Sequence, residues 1–233
     1  ARKTAATAAD RLTIIQGGDL PADWTGKLWA MKQGVDRALA SDPTYLLFTD
    51  ADIIYAPDTL ARLVARAESE KLVLNSLMAQ LHCESFAERA FIPAFIFFFQ
   101  MLYPFAWVND PARRTAAAAG GCMLVRREAL TAAGGIESIR GALIDDCALA
   151  RALKPQGPIR LSLTERAQSI RRYPGVEDIR RMVARSAYTQ LGYSPLLLAG
   201  TLAGMALVYL LPVLLVLFGH GPAQTLGLLA WAL

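Results

Sequence analysis

Two acidic pairs, one glycine pair and one lysine stand out in this chain, because each lies where a structural element starts or stops. Thr49-Asp50-Ala51-Asp52 directly follows the apolar run Tyr45-Leu46-Leu47-Phe48. Carboxylates at i and i+2 point to the same side of an extended chain, and the small Ala51 between them lets a bulky ligand approach. Such a pair suits a hard divalent cation that shares carboxylate, phosphate and water ligands. A metal held there stabilises the charge that builds on a departing diphosphate. Asp is also common in any turn that ends a strand, so its position in the fold has to decide between the two readings.

The second acidic pair is Ile144-Asp145-Asp146-Cys147. Neighbours on a helix project about 100° apart, so the two carboxylates cannot share one task. One can cap the helix or orient a neighbour, and the other can accept a proton from an incoming hydroxyl. An acidic helix start that answers the helix dipole would use the same two residues. Between the acidic pairs, Ala119-Gly120-Gly121-Cys122-Met123 places two glycines at the entry of an apolar run. Missing side chains there allow a ligand close to the backbone, although a plain strand-entry turn needs them as much. Upstream, Trp24-Thr25-Gly26-Lys27 opens a helix with a glycine and a cation, a fair contact for a diphosphate.

These residues need a scaffold, and the pattern of the chain supplies one. Leu12 to Ile15 reads as a short strand. Gly26 to Ala40 carries Leu28, Met31, Val35 and Leu39 on one helical stripe. Tyr45 to Phe48 reads as a buried parallel strand, and Pro57 opens a further helix. Leu72 to Leu77 and Cys122 to Val125 read as strands, and Arg126 to Ala133 as a helix closed by Gly134-Gly135. Leu143 to Leu153 has helical spacing, and Leu161-Ser162-Leu163 suggests a last strand. This alternation predicts an α/β domain with a mostly parallel sheet flanked by helices. In such sheets ligands bind beyond the carboxyl ends of strands, which is where Asp50 and Asp52 stand.

Of the 233 residues, 54% are hydrophobic and 19% charged, fewer charges than the quarter usual in soluble domains. That much apolar side chain excludes a disordered chain. The net charge of +4 is too small and too unevenly spread for a nucleic-acid-binding face. Cys83, Cys122 and Cys147 are scattered and odd in number, which argues against a disulfide scaffold or a structural zinc site and predicts core thiols. Ser194 to Leu217 holds no charged residue and meets the length of about 20 apolar residues that a bilayer requires. The expected transmembrane helix is 194–218, with a second beginning at 223–233 and a catalytic domain at 1–190. Seven arginines from Arg160 to Arg185 face only Glu165, Glu177 and Asp178, which places this flank on the cytoplasmic side. Phe91 to Trp107 is shorter, broken by Pro93, Gln100 and Pro104, and rich in aromatics. It reads as a segment lying in the headgroup region, suited to holding a lipidic substrate or simply to anchoring.

In order and type, W-T-G-K (24–27), the strand with D-A-D (50–52), G-G-C-M-L-V-R-R (120–127), G-G-I (134–136) and D-D (145–146) resemble the family 2 glycosyltransferases, inverting enzymes of GT-A fold. The longer strings CESFAERAFIPAFIFFFQMLYPFAWVNDP, AAAAGGCMLVRREAL and GALIDDCALA look like the hopanoid-biosynthesis-associated membrane glycosyltransferases. The resemblance runs from about Leu12 to the C-terminal span.

It implies a nucleotide-sugar donor, a lipid acceptor that could be a hopanoid, and a bacterial cytoplasmic membrane with the catalytic domain on the cytosolic side. Asp50 and Asp52 would bind the donor diphosphate through Mg²⁺ or Mn²⁺. Asp146 would be the catalytic base, with Asp145 in the place of the family's glutamate. Gly120 and Gly121 would line the pocket, and Lys27 would lie near the nucleotide. The family's first strand and early aspartate are absent and are expected to precede Ala1, in a chain cut at both ends. The Q-x-x-R-W motif of processive relatives is absent too. The nearest stretch is Arg180 to Ser186, with Arg185 as the plausible acceptor or phosphate contact, and this favours a single transfer over polymer synthesis. The rival readings are a nucleotidyltransferase of similar fold and a non-catalytic membrane subunit that binds lipid.

Overall fold

The computed structural model describes residues 12–232, without the side chains of Arg185 and Ser186. The elements divide between two compact units, residues 1–180 and 181–233.

In the first unit, Thr25 caps helix α1 (Gly26–Leu39) by accepting the N–H of Leu28. Strands β1 (Tyr45–Thr49) and β2 (Ile53–Tyr55) follow, joined by a tight turn through Asp50. Asp58 precedes helix α2 (Thr59–Ser69), so Pro57 stands just outside the helix it was expected to open. Strand β3 (Leu74–Gln80) leads to helix α3 (Phe86–Leu102) and the short helix α4 (Phe105–Asn109). Ser85 and Glu88 form a reciprocal cap at the start of α3, which satisfies donors that a helix start otherwise leaves open. Strand β4 (Cys122–Arg126), helix α5 (Arg127–Ala132), helix α6 (Asp145–Leu153) and strand β5 (Ile159–Ser169) complete the unit. Helix α7 (Val176–Gln190) runs across the boundary between the two units.

The five strands order as β1-β4-β3-β5-β2. Among the described residues only β3 and β5 pair in parallel; β1/β4, β3/β4 and β2/β5 are antiparallel. The mostly parallel sheet expected from the apolar runs is therefore a mixed one. β3 and β4 are buried because helices cover both sides of them, whereas β1, expected as a buried strand, lies at the sheet edge with Leu46 buried and Leu47 exposed. Strand direction does not enter the signal of an apolar run. Alternate residues of β4 separate the two faces. Met123 and Val125 pack with Leu28, Leu149 and Leu153, while Cys122 and Leu124 pack with Leu63 and Ala67 of α2.

Three further expectations change. Residues 12–20 form no regular element, and Leu12, Ile14 and Ile15 stay exposed, since a short apolar run becomes a strand only beside a partner. Strand β5 is far longer than Leu161–Leu163, because its second half turns to pair with β2. Cys122 and Cys147 are core thiols, but Cys83 is exposed. The segment 91–107 falls within α3 and α4. Ile92 and Val108 are buried and Phe99, Tyr103 and Phe105 lean on the core, while Phe97, Met101 and Trp107 are exposed.

In the second unit, helix α8 (Pro195–Met205) continues through a π-helical stretch, Ala206–Leu210, into helix α9 (Leu211–Phe218). Pro212 has no N–H to close a regular turn, and the wider turn ahead of it absorbs the defect. Pro195–Phe218 is 24 residues long and contains an 18-residue stretch of mean hydropathy 2.4, long and apolar enough to cross a membrane. Helix α10 (Pro222–Ala232) packs closely on α9 at Gly227, where a Cβ would meet Leu215 at 2.8 Å.

Candidate active site

The acidic residues meet at one end of the sheet. Antiparallel pairing sets Thr49 opposite Cys122, so Asp50, just past the end of β1, lies beside the glycines that lead into β4. Tyr55 fastens this corner. Its hydroxyl contacts Oγ1 of Thr49 and the carbonyl of Gly121, each at 2.7 Å. Burial, above all, raises the Tyr55 pKa, so the phenol stays protonated and able to donate.

Two helix N-termini point into the same region. Lys27, the second residue of α1, lies 3.1 Å from Oδ1 of Asp50 and 2.9 Å from Oδ2 of Asp145. The latter contact is an ion pair without the alignment of a hydrogen bond, which leaves a buried carboxylate oxygen with no aligned donor. Burial lowers the Lys27 pKa, but Asp145 and Asp50 together outweigh it and the net shift is upward. The lysine is a permanent cation here. α6 begins at Asp145 rather than Leu143, so both acids lie in its first turn. There the positive end of the helix favours carboxylates.

Asp146 turns toward the glycine pair. Its Oδ2 accepts the N–H of Gly120 at 2.9 Å and its Oδ1 that of Cys147 at 2.7 Å. Burial pushes its pKa up, and the neighbouring Asp145 adds to this; the Cys147 and Gly120 amides and Lys27 pull the other way. The net result is a carboxylate more basic than an ordinary aspartate, as proton abstraction favours. A Cβ on Gly120 would lie 3.4 Å from both Asp146 Oδ2 and Lys27 Nζ. The glycine thus keeps open the space between Asp146 and Lys27.

Asp52 goes elsewhere. A turn replaces the extended chain expected at 50–52, with the N–H of Ile53 on the carbonyl of Asp50. The Asp52 carboxylate accepts the Ser169 hydroxyl at 2.8 Å, and its carbonyl accepts the N–H of Ile170. Thus Lys27, Asp50, Asp145, Asp146 and Gly120 form one constellation. Gly121 borders it, and Asp52 is tied to the end of β5. Among the described residues no group of three or more His, Cys, Asp or Glu side chains is placed to hold a metal ion. The Arg185 side chain lies outside the described residues.

Tyr55 and Ser169 were missed from sequence, because nothing local marks a tyrosine or serine whose partner is over sixty residues away. One signal was present, however. Gln168-Ser169-Ile170-Arg171 has the Q-x-x-R spacing, with Arg172 where tryptophan would follow, and it is this stretch that grips Asp52. Several arginines of the basic region are also already engaged. Arg160 pairs with Glu70, Arg166 with Asp58 and Arg180 with Glu177.

Fold and site together define an α/β protein that gathers a cation, three carboxylates and a glycine pair at one sheet end. Residues 27–233 match the model of glycosyl transferase family 21, and the chain belongs to that family. It is a glycosyltransferase, with a sugar donor and an acceptor as its substrates. The matching family is 21, whereas the sequence strings resemble family 2 members; glycosyl transfer is common to both. The chain matches no curated protein.

Proposed function

We propose that this chain transfers a sugar from a nucleoside-diphosphate donor to the hydroxyl of a membrane lipid, with inversion at the anomeric carbon. The observation that carries the reading is the double contact of Lys27 with Asp50 and Asp145 beside an Asp146 held by the Gly120 amide. Asp146 takes the proton of the acceptor hydroxyl. The freed oxygen attacks the anomeric carbon as the bond from that carbon to the diphosphate breaks, and the nucleoside diphosphate leaves with the bonding pair. Lys27 faces the negative charge that grows on it, where a fixed cation lowers the barrier.

Asp50 offers hard carboxylate oxygens that suit Mg²⁺ or Mn²⁺, with donor phosphates and water supplying most ligands; Asp52, the other acid proposed for the ion, would have to leave Ser169 to reach it. Such an ion would add charge stabilisation at the diphosphate. Asp145 fixes Lys27 and raises the basicity of Asp146. Arg185 is proposed as a phosphate or acceptor contact on its place in the sequence alone.

The lipid acceptor is supported by the apolar helix Pro195–Phe218 and by the exposed aromatics of α3. The arginine-rich flank favours the cytosolic side of a bacterial cytoplasmic membrane. A hopanoid acceptor rests on the likeness of residues 83–111, 116–130 and 141–150 to hopanoid-associated enzymes. Full-length protein supplied with radiolabelled nucleotide sugars and membrane lipids should yield a labelled glycolipid and free nucleoside diphosphate. Release of pyrophosphate would indicate nucleotidyl transfer, and no turnover of any donor would reject the reading.

A further inference from the structure

Strand β5 leaves β3 part-way along. Met78 pairs with Leu163, yet Gln80, two residues on, pairs with Gln168. The extra residues of β5 swing out to join β2, where the Arg166 carbonyl accepts the N–H of Ala56 and the hydroxyl of Thr59. The sheet opens at this point, and α3 roofs the gap with Ile92, Pro93 and Ile96. The result is a cavity of about 840 Å³, with Met78, Ala79 and Leu163 among its walls and Glu165 and Arg166 among its polar groups. That volume is in the range of small-molecule sites.

Two features tie the cavity to the reaction. Ala79 is a shared wall, since its Cβ lies 3.5 Å from where a Cβ of Gly121 would stand. One residue further, the Gly120 N–H holds Asp146. On the outer side, α3 carries Phe97 and Met101 exposed, next to the face that bears Ile92 and Ile96. The cavity thus has an exposed apolar surface on one side and, across Ala79 and Ile53, the glycine pair as its neighbour on the other.

We infer that this cavity is the acceptor-tail subsite, which receives the hydrocarbon chain of the lipid alcohol and leaves its hydroxyl toward Asp146. The inference rests on the proposed lipid acceptor. The apolar walls reward chain length. Ile96 and Leu163 then set how long a chain fits, because enlarging either side chain fills the cavity.

The test uses full-length protein in lipid nanodiscs and a diazirine-bearing long-chain alcohol. Photolabelling should fall on residues 78–96 and 163–166, be displaced by excess unlabelled alcohol, and drop at least tenfold in Ile96→Trp. Leu163→Trp, at an exposed position tolerant of change, should lose labelling as well and so guards against misfolding of the first variant. In both variants KM for a long-chain acceptor should rise while donor hydrolysis by water is unchanged. Labelling confined to 195–218, or unaltered by either tryptophan, would overturn the subsite and leave the lipid acceptor standing. Labelling of the cavity in a protein that glycosylates no lipid would show a lipid-binding cavity with no part in transfer and would refute both the acceptor and the subsite.

Discussion

The backbone N–H of Gly120 donates to Oδ2 of Asp146 across 2.9 Å, so the entry to β4 and the first turn of α6 share one wall of the site. The side chain that Gly120 lacks would occupy the space between Asp146 and Lys27. Its backbone is not in the left-handed region, so room rather than conformational freedom is what the glycine provides. Gly120→Ala should fold with unchanged thermal stability and lose most of its transfer activity. Thermal unfolding beside a transfer assay measures both.

Lys27→Met leaves Asp50 and Asp145 without their shared cation and removes a charge facing the leaving diphosphate. We expect kcat/KM to fall by about 10²-fold, the scale of losing one electrostatic stabiliser. Lys27→Arg should recover part of the loss. Steady-state kinetics with varied donor check this.

Asp145→Asn tests the electrostatics. Burial raises the Asp146 pKa and the Asp145 charge adds to it, and a base works only when ionised. The acid limb of kcat/KM should therefore lie above the ordinary aspartate range. Removing the Asp145 charge should move that limb to lower pH, and the freed positive field of Lys27 acts in the same direction. A pH–rate profile of both proteins reads the sign.

Glu88 holds the fold away from the reaction. It is buried and accepts the N–H groups of Tyr173, Ser85 and Glu84, with His82 at 3.0 Å. These contacts, that of Tyr173 above all, keep its carboxyl well below its ordinary 4.5. With the folded pKa below the unfolded one, its contribution is complete above pH 4.5 and is lost as pH falls further. Glu88→Gln should lower Tm by several degrees at neutral pH and weaken the acid dependence. Thermal melts across pH 3 to 7 ( sets roughly this window) would show it.

The reach of the sequence was set by the range of the interactions. Lys27, Asp50, Gly120 and Asp146 were legible because each lies at an element end, and capping, turn and burial patterns mark such ends within a few residues. Strand direction was not legible, since Leu46 or Val125 would be apolar in either orientation. Strand β2 was missed because three residues, Ile53–Tyr55, are too short for a period to register. The parting of Asp50 from Asp52 depends on Ser169, more than a hundred residues away. No local pattern carries that information.

The central claim is that Asp146 removes the acceptor proton beside a donor held by Lys27 and Asp50. Single-turnover transfer by full-length Asp146→Asn, with donor affinity measured separately, tests it most directly. The account predicts near-normal donor binding and a chemical step slowed by roughly 10²–10⁴-fold, the value of a positioned general base. Transfer at the wild-type rate by the asparagine variant would contradict it.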